Sequence, residues 1–224
     1  MLRFWQKYFG IIVAFAFVFL SGACAQNNPT EDIRFLMEQL DSPRATKDTL
    51  GKIVKLATKD PRAREYVAQK LPEMIRGPKS DQWLDALRLA GKLKVIEAIP
   101  ALQEAMLRPP SLAEPILTFA GIWRLDTDIV AKTLSQIGEP AIPAAANLLK
   151  SEDAAMRGRA LLILRNIATP AARKALENQL PRETNRENRE IIEDTLRRYR
   201  ALKNQSNFTF PITAFDQEVG DPSS

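Results

Sequence analysis

Leu89-Ala-Gly-Lys-Leu-Lys-Val-Ile-Glu-Ala-Ile-Pro-Ala-Leu102 has a shorter echo, Gln136-Ile-Gly-Glu-Pro-Ala-Ile-Pro-Ala-Ala145, whose Ala-Ile-Pro core lies 43 residues further along. A motif that returns in this way marks a chain assembled from repeated units. Stacked helical units build an extended surface and not a closed pocket, so the recurrence points toward binding and away from chemistry.

Outward from this stretch, from Thr30 on, the chain reads as helix after helix, broken at Pro, Gly or Ser. No segment alternates apolar and polar residues for long enough to argue a strand. Helices are expected near 31–40, 43–58, 61–76, 80–92, 96–108, 112–124, 127–137, 140–150, 153–168, 170–180 and 185–203, an all-α chain of about eleven short helices. Ser42-Pro43, Asp60-Pro61, Glu139-Pro140 and Thr169-Pro170 each put proline at or near a first helical position, where its missing N–H costs nothing. Pro100 and Pro143 fall slightly deeper but within the first turn, whose amides lack an intrahelical acceptor, so they too mark starts.

Apolar residues recur at three and four, as in Leu84, Leu87, Ala90 and Gly91, or Met156, Ala160, Leu164 and Ile167, and the small ones among them let helices approach closely. Residues 160–164 are apolar throughout, which calls for cover on more than one side, as in an interior rung. Trp83 and Trp123 sit beside apolar neighbours and are expected to pack. The last helix interleaves Arg186, Glu187, Arg189, Glu190, Glu193, Asp194, Arg197, Arg198 and Arg200 around a thin apolar line. That mixture suits a polar cap closing the stack better than a basic docking face. Beyond it Phe208, Phe210 and Phe215 stand in a polar stretch and are expected to fold back over the terminal edge.

The N-terminus has the layout of a secretory signal: Arg3 and Lys7 without an acid, an apolar run over residues 9–20, then Ser21-Gly22-Ala23-Cys24-Ala25. Twelve apolar residues fall short of the roughly 20 that cross a bilayer as a helix. Ala23-Cys24-Ala25 suits cleavage after Ala25, which frees a soluble chain from Gln26. Residues 20–24 also resemble a lipoprotein box, in which cleavage before Cys24 leaves that cysteine to carry lipid. The expected organisation is a signal over 1–25, one helical domain over 26–203 and an irregular tail over 204–224. Cys24 is the sole cysteine, so the domain is held by its core and not by disulfides. Arg3 and Lys7 contribute to the net charge of +5; without them the chain is near balance, and no basic cluster argues for nucleic acid.

Gly138-Glu139-Pro140-Ala141-Ile142-Pro143-Ala144, then Leu148-Leu149, then Met156-Arg157 and residues 160–164, together resemble the HEAT repeat. In that family one helix opens on a Pro-Ala-x-Pro-like start, a turn follows, and a second helix carries an apolar-Arg-x-x-Ala-x-x-x-Leu pattern, matched here by Met156, Arg157, Ala160 and Leu164. The 30 residues from Pro140 to Pro170 are similar to the shorter HEAT-like repeats named after phycobilisome lyases. Periodicity by itself also allows tetratricopeptide-like or other helical pairs. The resemblance implies a right-handed α-α superhelix, a HEAT-like α-solenoid, whose second helices line a concave side.

Chemistry finds little footing. The chain has no histidine, which removes a histidine base, a Ser-His-Asp relay and imidazole metal ligands. Asp126 with Asp128, and Glu152 with Asp153, are better read as helix N-caps than as acid-base pairs or calcium ligands. No phosphate-binding glycine loop follows a strand. The expectation is therefore a non-enzymatic protein-protein interaction scaffold, without cofactor, metal or nucleic acid. It is placed outside the cytoplasm, periplasmic or secreted, with a membrane-tethered lipoprotein as the alternative. A HEAT-like lyase or nucleic-acid enzyme is the remoter rival. A wide interface of this kind concentrates its energy in a few aromatic or arginine anchors, and Trp123, Arg124, Arg157 and Arg165 are the candidates.

Overall fold

The computed structural model describes residues 29–40, 47–108 and 128–204. All regular structure among them is helical. The described residues form ten α-helices: α1 Pro29–Leu40, α2 Lys47–Lys59, α3 Pro61–Arg76, α4 Asp81–Leu93, α5 Ile99–Leu107, α6 Ile129–Ile137, α7 Ile142–Leu148, α8 Ala154–Ile167, α9 Pro170–Gln179 and α10 Arg186–Asn204. The expected helix at 112–124, the start at Ser42-Pro43, the leader and the tail aromatics lie outside the described residues.

The boundaries follow local chemistry. Asp60 accepts the amides of Arg62 and Ala63 at 2.7 and 3.1 Å, with Pro61 in the first position of α3. Thr169 does the same for α9 with Pro170, accepting from Ala172. Asp128 and Asp153 cap α6 and α8 through the amides of Ala131 and Ala155, each satisfying a donor that the first turn leaves orphaned.

The sequence echo is one local structure used twice. A 3-10 turn, Ile96–Ala98 or Glu139–Ala141, runs directly into α5 or α7. The amide of Ile99 donates to the Ile96 carbonyl and that of Ile142 to Glu139. Pro100 and Pro143 then come second in their helices, where a missing N–H leaves no gap in the ladder. The single helices expected over 96–108 and 140–150 are thus each split between two pitches. Gly138, at φ +90°, makes the turn out of α6 that opens the second copy, a conformation that favours a residue without Cβ.

Packing alternates along the chain. Each odd helix touches the next odd one, from α1 through α9, and each even helix touches the next even one, from α2 through α10. Five helical pairs therefore lie in two layers. The spacing of the echo has a structural source: residues 109–127 are interposed within the third pair, between α5 and α6, which still pack on each other. Helix α8 touches α6, α7, α9 and α10, and residues 160–164 within it are all buried. Trp83 is buried, with its Nε1 donating to the Ile75 carbonyl at 3.0 Å.

Small residues set the layer spacing, among them Ala86, Ala90, Ala101, Ala131, Ala145 and Ala160, each fully buried. Helices α4 and α6 come close at Gly91, where an added Cβ would stand 2.1 Å from Gln136 Oε1, 3.2 Å from its Cδ and 3.4 Å from its Cβ. Alanine offers a helix about 1 kcal/mol over glycine, and Gln136 is exposed, so its side chain can turn aside. Gly91→Ala is therefore expected to leave stability within about 1 kcal/mol of wild type, and Gly91→Ala with Gln136→Ala to exceed wild type. Gly91→Leu is expected to cost about 3 kcal/mol or more by overpacking. Urea unfolding of the three variants checks this order.

Candidate interaction surface

Short helices end often, and every end exposes carbonyls without an intrahelical partner. Arginines meet them at one joint after another. Arg64 donates to the carbonyl of Leu93 at 2.7 Å. Arg108 reaches the carbonyls of Arg76 and Gly77 at 2.6 and 2.9 Å, and Arg189 that of Glu183 at 2.9 Å. Arg159 donates to the Met106 carbonyl at 2.8 Å and to the Asp128 carboxylate at 2.5 Å, so one guanidinium holds the end of α5, the cap of α6 and α8 together.

Arg157, expected as a partner-binding anchor, belongs to this set. Its Nη1 donates to the carbonyls of Ser151 and Glu152 at 3.0 and 2.8 Å, and its Nε and Nη2 donate to the Glu183 carboxylate at 2.7 to 3.2 Å. The residue is 9% exposed, and all three of its nitrogens are committed inside the chain. Its place is that of a structural joint, with its donors spent within the chain. Glu183 also accepts from Gln179 and from the Asn185 amide. Burial works against its ionisation, but the Arg157, Asn185 and Gln179 hydrogen bonds outweigh burial and hold its carboxyl at about 2, below the ordinary 4.5.

Arg165 is placed differently, half-buried where α8 meets α10. Burial lowers its pKa, nearby Arg198 adds to the lowering, and Asp194 opposes it. Trp123, Arg124 and Cys24 lie outside the described residues.

A surface not anticipated from sequence runs over the even layer. Arg88 and Lys92 on α4 and Lys132 and Gln136 on α6 are all exposed. The helices carrying them are in register, since Thr133 Oγ1 approaches the Leu87 carbonyl at 3.3 Å and Gly91 lies against Gln136. Arg88 also pairs with Asp85 at 2.7 Å. The spacing of four within each pair, 88 to 92 and 132 to 136, was the available signal. Between α5 and α7 of the odd layer lies an open groove of about 500 Å³, lined by Pro100, Pro140 and Pro143 of the echo together with Gln103, Asn147 and Lys150.

Among the described residues no group of three or more acidic or cysteine side chains is arranged to hold a metal ion, and no helix is long and apolar enough to cross a membrane. Neither the protein-family models nor the curated proteins compared with the chain match it.

Arg157→Met leaves the Glu183 carboxylate buried without its cation, and a loss of about 3–5 kcal/mol is expected. Adding Glu183→Gln should recover part of that loss, because the remaining side chain no longer carries a buried charge. The pair also sets a pH dependence. Glu183 has a folded pKa of about 2 against an ordinary 4.5, so its contribution is complete above pH 4.5 and is lost as pH falls toward 2. Acid titration of unfolding should show a steeper loss in that window for wild type than for Glu183→Gln.

Proposed function

We propose that this chain is a non-enzymatic interaction scaffold of the cell envelope, a HEAT-like stack wound as a right-handed superhelix, that receives a protein or peptide segment along its even layer. The observation that carries the reading is the exposed basic ridge of Arg88, Lys92 and Lys132 on adjacent even helices. Two-layer alternation of helical pairs supports the stack, because each new pair extends both outer faces without closing a pocket. A ridge of this sign favours an extended partner segment bearing Asp or Glu, with long-range attraction speeding encounter. Arg165, further along the same layer, is the anchor that remains from the four candidates within the described residues.

A photo-crosslinker at Lys92 is expected to capture one partner in the native envelope, with capture falling as salt is added and in the Arg88→Glu/Lys132→Glu variant. A crosslinker at the exposed Lys174 of the odd layer should capture none. Equal capture from both layers, or capture indifferent to charge reversal, rejects the reading. The envelope location rests on the signal-like residues 1–25, and mass spectrometry of the mature N-terminus is expected to find Gln26. A lipid-modified Cys24 would instead make the scaffold membrane-tethered.

A further inference from the structure

The two ends of the stack differ in chemistry. At the α10 end the exposed residues include Arg186, Glu187, Arg189, Glu190, Glu193 and Arg197. No large apolar side chain described on α9 or α10 is exposed. At the α1 end an open cleft of about 350 Å³ lies between α1 and α2, floored by Phe35, Leu36 and Leu56 and rimmed by Lys52, Lys55 and Lys59. Phe35 is 61% exposed. Lys52 pairs with Asp48 at 2.7 Å and Asp32 borders the cleft, while Lys55 and Lys59 form no ion pair among the described residues. An apolar floor with uncommitted cations at its edge fits a segment that is aromatic and acidic at once.

The chain contains such a segment. Residues 205–224 have no Lys or Arg, and they carry Phe208, Phe210 and Phe215 with Asp216, Glu218 and Asp221. Phe215 directly precedes Asp216, so an aromatic ring seated on Phe35 and Leu56 brings carboxylates to the lysine rim. Folding back over their own end would bring these rings mainly to charged residues, with only Leu180 and Ile191 partly open to them, a poorer apolar seat than the exposed Phe35.

We propose that the α1–α2 cleft receives residues 208–218 of a second copy of this chain. Reach favours a neighbour over the same chain. Four layer steps of about 8–10 Å put α1 about 32–40 Å from α9, so the eleven residues from Asn204 to Phe215, which span at most about 36–40 Å, would reach their own cleft only when almost fully drawn out. A copy placed end to end needs no such extension. The contact is head to tail, each copy offering its cleft to one neighbour and its tail to another, so assembly grows with concentration.

The test uses the full chain and a fluorescent peptide of residues 205–224. In sedimentation velocity the wild type is expected to gain mass as its concentration rises, and the Lys55→Glu/Lys59→Glu variant to stay monomeric. In anisotropy titrations, a full chain whose own tail carries Phe208→Ala, Phe210→Ala and Phe215→Ala should bind the peptide. Adding the lysine reversals should weaken that binding by about tenfold or more. A peptide with Asp216→Lys and Glu218→Lys should regain affinity for the reversed chain, while Arg88→Glu/Lys132→Glu should leave the contact unchanged. Both lysines are exposed, and circular dichroism confirms that the variants keep their helices. Peptide binding indifferent to the lysines overturns the proposal. So does a wild type that stays monomeric while only the tail-substituted chain binds peptide, since the occupant is then the chain's own tail.

Discussion

Everything in this fold is conditioned by the ends of its helices. Helices of 7 to 19 residues leave their last carbonyls without amides at every joint, and joints recur all along the chain. Arginine is the side chain suited to the task, because its rigid fork presents several donors at once. A hydrogen bond from a charged donor is worth about 1.5–3 kcal/mol where it replaces an unmet carbonyl. Arg64, Arg108 and Arg159 each close such a gap on a segment remote in sequence, while Arg157 meets carbonyls five and six residues back and reaches the remote Glu183 carboxylate.

That use of arginine divides labour among the basic residues. The cations that hold the interior together are arginines, while the outer faces of α2, α4 and α6 present mainly lysine, at positions 55, 59, 92 and 132. Lysine, a flexible and strongly hydrated point charge, suits a face that attracts without dictating a single geometry. Between the joints, cohesion comes from a continuous core of buried Leu and Ile, such as Leu71, Leu87, Leu102, Leu134 and Ile163, with alanines letting next-but-one helices come close. Contacts so local let stability accumulate pair by pair.

Helix ends were legible in the residues because they depend on neighbours a few positions away. Proline after Asp60 and Thr169 and the capping roles of Asp128 and Asp153 came through directly. The five consecutive apolar residues at 160–164 correctly marked a buried rung. Longer-range facts were not legible. Arg157 looked like a surface anchor because nothing near it announces Glu183, 26 residues away, whose burial is decided by where α9 ends. Likewise, the Arg159 contact with Met106 spans 53 residues. The basic ridge was hidden for the same reason, since α4 and α6 become neighbours only after the layers form. The 3-10 turns escaped notice because a proline at the second helical position is compatible with either pitch before it.

Arg159 couples one pair of helices to the next. Its guanidinium grips Met106 near the end of α5 and Asp128 at the cap of α6, while its own backbone belongs to α8. The meeting of α5 with α6 is thus reinforced from the pair that follows, so docking of that later pair and completion of the earlier one favour each other. Neighbouring units here gain a cooperativity that apolar contact alone would leave weaker.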